Sequence, residues 1–356
     1  MKKILFPLAL ASALTLAACS SEEGTSNQSS SQDAKQLSIY TTVYPLEYFT
    51  ERIGGDLVNV QSVYPPGADE HTYEPSQQDM IKFAEADKLF AIGLGLESFI
   101  PNAKKTLENQ DVDIVELADF ISDDALLEGE NHSEEEHAEE GHSEEEHGHS
   151  EDGHSEEEHT EDGHSEEEHA EEADSHAGHD HGALDPHLWI SPTLSAELAK
   201  SILNELIEAS PENEEEFTAN FEALEADLAA LDESFKTMVS DAERDTFFVS
   251  HAAFGYWVKD YGLQQVAVAG LSTQDEPSQK ELATIVDQAK EQQISYILTE
   301  QNVSSKLTDI IRTEVGAETL PLHNLGVLTD EDIDNGDDYL TIMERNIETL
   351  KTALDN

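Results

Sequence analysis

The stretch SPENEEEFTANFEALEADLAALDESFKTMV, residues 210–239, decides how the rest of the chain divides. Phe217, Phe221, Leu224, Leu228, Leu231 and Phe235 follow one another at intervals of four, three, four, three and four, which makes one apolar stripe on an α-helix. Ser210 is an N-cap candidate and Pro211 suits a first helical position, so the pattern predicts a helix from there to about Val239. At about 1.5 Å per residue, a helix of about 29 residues extends roughly 44 Å, enough to cross a whole molecule. The preceding stretch, 192–209, also reads as helix.

On both sides of this connector, short β-rich apolar runs alternate with helical patterns. Before it, strand-like runs fall at 37–44, 57–64, 88–93 and 113–117, with helical patterns at 45–53, 76–86 and 98–108. After it, strand-like runs fall at 246–250, 264–269, 294–299 and 318–322, with helical patterns at 278–291, 304–315 and 339–353. Such alternation implies parallel sheets covered by helices. The expected fold is α/β: two lobes, each a small parallel sheet flanked by helices, joined by a long spanning α-helix. The lobes are 37–190 and 241–356, with linking helices in 191–240.

Two stretches lie outside this pattern. Lys2 and Lys3 precede a short apolar run over 4–18, which ends in Leu16, Ala17 and Ala18 directly before Cys19. Residues 1–18 read as a signal peptide, too short to span a bilayer comfortably. The Leu-Ala-Ala-Cys order resembles the lipobox of bacterial lipoproteins, which implies cleavage before Cys19 and lipid on its sulfur. Cys19 is the one cysteine in 356 residues, so no internal disulfide forms. Residues 19–36, rich in Ser, Glu and Gln, read as a flexible tether.

The second stretch is 130–182. It holds 23 acidic residues, no Lys or Arg, and 12 histidines: His132, His137, His142, His147, His149, His154, His159, His164, His169, His176, His179 and His181. Most recur every five residues, a period that builds neither a helical nor a strand face. Such a segment buries too little apolar surface to offset its ordering entropy, so disorder is expected in the free chain. Neutral imidazoles amid carboxylates make it a low-affinity cation collector. The whole chain carries a formal charge of −61, which repels nucleic acid and attracts cations.

Four histidines remain for the folded body: His71, His187, His251 and His323. His71 follows YPPGADE, a loop dictated by two prolines and a glycine, and His187 sits in LDPHLWISP, where Asp185 is placed to orient its ring. His251 ends the run FFVSH and small residues follow. Ligands in α/β folds gather at strand ends, so these three point to one shared site. His323 reads as a near-site or structural residue.

These stretches, together with AGLSTQDEPS (269–278) and LTEQNVSSK (298–306), resemble the motifs of the zinc-specific solute-binding proteins of bacterial ABC importers. The resemblance covers nearly the whole mature chain, with the motifs in order and a His-rich loop in its usual place. It implies metal held between two lobes by His71 and His187 of the first and His251 of the second. It further implies capture of Zn²⁺ and delivery to a membrane permease driven by a separate ATPase, on the extracellular face of the cell membrane, by a lipid-anchored monomer. Three imidazoles suit Zn²⁺, whereas Mn²⁺ prefers more oxygen, and manganese relatives carry a carboxylate where His251 stands. Copper or nickel would also bind three imidazoles, so cellular supply matters.

Many relatives add a Glu or Asp after the last strand, where this chain has Gly326. Glu70, Asp330 or a water is left to complete the site. A manganese receptor of the same fold, or a surface zinc buffer or adhesin, are the alternatives. An enzyme is not expected: the chain has no His-Glu-x-x-His, no Gly-x-Ser-x-Gly and no phosphate-cradling glycine loop.

Overall fold

The computed structural model describes residues 36–129, 184–301 and 306–356. The leader, Cys19, the tether and the twelve clustered histidines lie outside the described residues.

The first half runs β1 (Leu37–Thr41), α1 (Tyr44–Gly54), β2 (Val58–Ser62), α2 (Gln77–Phe83), β3 (Lys88–Ala91), α3 (Ile100–Leu107) and β4 (Asp113–Glu116). Its strands form one parallel sheet in the order β2-β1-β3-β4. Two helices follow, α4 (Pro192–Ala209) and α5 (Glu214–Asp241). The second half runs β5 (Thr246–His251), α6 (Gly255–Tyr261), β6 (Gln264–Ala269), α7 (Gln279–Gln292), β7 (Tyr296–Thr299), α8 (Lys306–Val315), β8 (Glu318–Pro321), α9 (Asp330–Asn335) and α10 (Tyr339–Leu354). Its sheet repeats the same order, β6-β5-β7-β8, again parallel. The fold is therefore α/β, with two such sheets and a long helix between them. In this order the chain reverses direction across the sheet between β1 and β3, and again between β5 and β7. Crevices at such reversals, beyond the carboxyl ends of the strands, receive ligands in open α/β sheets.

The connecting helix begins later than the Ser210 cap and Pro211 imply. Pro211–Asn213 make a single 3-10 turn and α5 starts at Glu214, with no side-chain cap from Asn213. Glu214, Glu215 and Glu216 stand instead in the first turn, where negative charge complements the helix dipole. All six stripe residues are buried. Its 28 residues reach about 42 Å, and its two ends serve different neighbours. Toward the start, Asn220 donates to the Ile53 carbonyl at 2.9 Å and Asp227 pairs with Arg52 at 2.7 Å, both at α1. Toward the end, Phe235 stacks on Tyr261 of α6, ring centroids 5.2 Å apart, and Asp232 accepts from the Tyr261 hydroxyl at 3.0 Å. The last helix also reaches across: Tyr339 of α10 packs on Tyr48 and Phe49 of α1. As a result, one continuous apolar core includes Leu46 and Phe49 of the first lobe, Leu224 of α5, and Trp257 and Leu298 of the second. A smaller core, around Phe248, Ile297 and Ile311, lies beneath α7 and α8.

Among the described residues, no helix is long and apolar enough to cross a membrane.

Candidate metal centre

His251 is the last residue of β5, the strand between β6 and β7, so the sheet itself delivers its ring to the point of reversal. The ring is fully buried. Glu300 directly follows β7 on the adjacent strand and is buried too. Its Oε2 lies 2.6 Å from His251 Nδ1, and its Oε1 accepts from the Ser250 hydroxyl at 2.8 Å and the His251 backbone N–H at 3.2 Å. A carboxylate only accepts, so Nδ1 carries the proton and the Nε2 lone pair is free to face the cleft. Burial pushes the His251 imidazole down, but the Glu300 charge outweighs this, and its pKa lies above the usual value. Burial would raise Glu300, but the facing imidazole holds it below the ordinary carboxylate range.

His187 is presented in the same way from the other lobe. It precedes the short 3-10 turn Leu188–Ile190, and Asp185 Oδ1 accepts both its Nδ1–H at 2.8 Å and its backbone N–H at 2.9 Å. The orienting role read for Asp185 is thus a direct hydrogen bond. Gly255 is required beside it, because a Cβ there would stand 2.6 Å from Asp185 Oδ2. His71 differs from both. It is half-buried in the loop after β2, its backbone N–H donates to Asp69 Oδ1 at 2.9 Å, and no carboxylate pairs with its ring among the described contacts. Burial, with the facing His187 and His251 rings, lowers its pKa to about 2.

The three rings converge. His187 Nε2 is 3.4 Å from His71 Nε2 and 3.3 Å from His251 Nε2. One ligand atom from each lies within 4.8 Å of the other two, the one such cluster among the described residues. Four-coordinate Zn²⁺ with Zn–N near 2.05 Å sets its nitrogens about 3.3 Å apart. The pocket is therefore spaced for a tetrahedral ion held by imidazole nitrogen.

The two candidate carboxylates part company. Asp330 is exposed in the first turn of α9 and does not join the cluster. Its side chain serves the start of a helix, where an acidic residue is favoured by the dipole. Glu70 is buried at 5% exposure directly beside the site. It occupies the space of the missing side chain at Gly326, where an added Cβ would overlap the Glu70 carboxylate. Burial raises its pKa to about 7. His323 is structural: its Nδ1 accepts from the Leu325 N–H at 2.9 Å and its Nε2 lies 3.2 Å from Asp332 Oδ2.

A family model for zinc-uptake complex component A, periplasmic (ZnuA), matches residues 39–353. The chain belongs to the ZnuA family. Among its relatives, the zinc-binding lipoprotein AdcA of Streptococcus pneumoniae is 34% identical over 361 residues, covering all of this chain and 62% of that protein. The chain thus spans about three fifths of that relative's length. The high-affinity zinc uptake system protein ZnuA of Bacillus subtilis is 34% identical over 343 residues, 96% of this chain and 94% of that one. In structure, the zinc-bound ZnuA-like domain of S. pneumoniae AdcA aligns with a TM-score of 0.66 at 30% identity, over 90% of this chain and all of that domain.

Three buried polar residues were not assigned from the sequence, two of them, Glu300 and Asn324, at the site itself. Glu300 lies inside the motif LTEQN, and its position one residue past a predicted strand was the available signal. Asn324 had no signal, because its role depends on where three separate loops meet. Glu97 is the third: it is buried at the first sheet's own reversal point, accepting from Thr42 at 2.6 Å and from the Ile92 and Gly93 N–H groups.

Proposed function

We propose that this protein is the extracellular, high-affinity zinc-binding component of an ABC importer, capturing Zn²⁺ at His71, His187 and His251 and handing it to a membrane permease. The observation that carries this reading is the Nε2 spacing of 3.3 and 3.4 Å among three buried or half-buried imidazoles. An all-nitrogen triad favours zinc over the oxygen-seeking Mn²⁺. Glu70 is the carboxylate at hand for the fourth position, with water as the alternative. Asp185 and Glu300 fix the rings so that binding requires little reorganisation, which favours tight capture.

Around that site, the remaining features fall into place as parts of a receptor. Lipid on Cys19 would hold the chain at the outer membrane surface, and the histidines of 130–182 would gather zinc loosely for transfer to the triad. The relatives are named as zinc-binding and zinc-uptake proteins, and this supports zinc as the cargo here. Calorimetry on the metal-free protein tests the core of the proposal. One tight Zn²⁺ site is expected, weakened at least a hundredfold by each of His71→Ala, His187→Ala and His251→Ala. Wild-type affinity in all three variants would overturn the site. Loss of growth under zinc limitation in a deletion strain, rescued by added zinc, distinguishes import from a surface buffer or adhesin.

A further inference from the structure

The loop after β8, residues 322–328, carries no ligand of the triad, yet one of its side chains touches both halves of the site. Asn324 is 3% exposed. Its Nδ2 donates to Glu70 Oε1 at 3.0 Å and to Glu300 Oε2 at 3.1 Å. Its Oδ1 accepts from the Gly326 N–H at 3.0 Å and from Gln301 Nε2 at 2.9 Å. A side-chain amide has two donor hydrogens and two acceptor lone pairs, so every one of its bonding positions is used. Its backbone carbonyl accepts from Trp189 Nε1 at 2.7 Å, two residues after His187. One residue thus meets the segment carrying His71, the carboxylate orienting His251, and the turn after His187.

The backbone there is held in an unfavourable conformation. Leu325, buried, has φ of +61°, a region that costs a non-glycine residue free energy and persists only where its surroundings enforce it. Three contacts enforce it: the Leu325 N–H to His323 Nδ1, the Gly326 N–H to Asn324 Oδ1, and the Gly326 carbonyl accepting from the Tyr44 N–H at 2.9 Å. Among the described residues no carboxylate pairs with the His71 ring, and its segment is located from the opposite lobe. Asn324 holds Glu70, and the Thr273 hydroxyl donates to Asp69 Oδ2 at 2.9 Å.

We infer that Asn324 is a positioning residue that sets how long the metal stays: by bridging Glu70 of one lobe and Glu300 of the other on a single amide, it keeps His71 and His251 in register across the cleft. This rests on the zinc-receptor reading above. The distinctive consequence is coupling. Loss of the amide frees the Glu70 segment and unbalances the carboxylate behind His251 together, so dissociation accelerates while encounter of the ion with the cleft does not.

The test uses the full chain, with Zn²⁺ as the only ligand and a chromogenic chelator in stopped flow. Asn324→Ala is expected to raise the zinc dissociation rate at least tenfold, with the association rate within twofold of wild type. In a Glu70→Ala background the same substitution is expected to add less than threefold. Asn346→Ala is the control for mere loosening of the loop, because Asn346 clasps the His323 backbone from the far side, accepting its N–H at 2.9 Å and donating to its carbonyl at 2.7 Å. It should lower the melting temperature while leaving dissociation within twofold. The proposal is overturned by an unchanged rate in Asn324→Ala, by Asn346→Ala matching it, or by an undiminished effect on Glu70→Ala. Should Asn324→Ala not fold, Asn324→Gln replaces it, since it keeps the amide but moves it by one methylene. A wild-type chain that bound no zinc would instead overturn the receptor reading.

Discussion

Replacing Glu300 by Gln changes one atom and tests the logic of the second lobe. Four donors converge on this carboxylate: the Ser250 hydroxyl at 2.8 Å and the His251 backbone N–H at 3.2 Å on Oε1, and His251 Nδ1–H at 2.6 Å and Asn324 Nδ2–H at 3.1 Å on Oε2. A glutamine offers one oxygen. If that oxygen takes the Oε1 place, an NH₂ group faces His251 Nδ1, and the ring must shift its proton to Nε2, the atom aimed at the metal. Zinc then has to displace that proton, and loss of such a partner typically lowers metal affinity 10–100-fold, or about 1.4–2.7 kcal/mol. If the oxygen takes the Oε2 place, the Ser250 hydroxyl can rotate, but the His251 N–H cannot. One buried donor is left without an acceptor, at about 1–3 kcal/mol of folding stability. Competition with a chelator of known zinc affinity reads the first outcome, and calorimetric melting of the metal-free protein reads the second. Zinc affinity within threefold of wild type together with a melting temperature within ~2 °C would refute the assignment of Glu300 as the group that fixes the His251 ring.

Other consequences follow from single contacts. Burial raises the Glu70 pKa from 4.5 to about 7, so in metal-free protein its contribution is fully present below pH 4.5 and is lost as pH rises through about 7. Glu70→Gln mimics the protonated acid, and its metal-free melting temperature should exceed wild type at about pH 8 and converge with it near pH 4. Gly326→Ala places a methyl on the Glu70 carboxylate and should cost about 1–3 kcal/mol by urea unfolding. The Glu70→Ala/Gly326→Ala pair should recover most of that loss, and strict additivity would show that the overlap is not the cause. Lys88 is buried between Asp113 at 2.7 Å and Glu205 at 2.6 Å. Lys88→Met leaves Glu205 partnerless at the start of β3 and should destabilise by about 3 kcal/mol, at the low end because Asp113 is exposed. An unfolding midpoint unchanged from wild type would count against that pair.

The periodic signals translated well into structure. The run predicted over 264–269 is the strand Gln264–Ala269, and the stripe from Phe217 to Phe235 is the buried face of α5, because an apolar interval of three and four leaves little choice of fold. Local competition decided where prediction and structure diverge. Pro211 bends the chain into a 3-10 turn before α5 can begin, and the seven-residue α6 and six-residue α9 are too short to show a period. At the site, His71, His187 and His251 were readable because few histidines remain outside 130–182 and because their flanking residues carry a family resemblance. The fourth position was not readable. Whether Glu70 or Asp330 approaches depends on the fold of the loop around Gly326, and one lies buried there while the other is exposed on α9. Asn324 shows the same limit, since an amide among loop residues signals nothing until the chains it joins are in place.

The larger core, running through α5 and α10, has a consequence for how occupancy can be sensed. Most of the buried apolar surface belongs to this shared core, with only the smaller cluster around Phe248, Ile297 and Ile311 confined to one half, so the molecule should melt as one cooperative unit rather than as two. Its two halves also have no clean plane along which to swing apart, because any wide opening would expose the Phe235, Tyr261 and Trp257 rings and the Tyr339 contacts with α1. An empty and a filled molecule should therefore share nearly the same outline. A partner that must tell them apart has to read fine detail at the rim of the cleft, such as the half-buried His71 loop, and small-angle scattering should find the two forms almost superimposable.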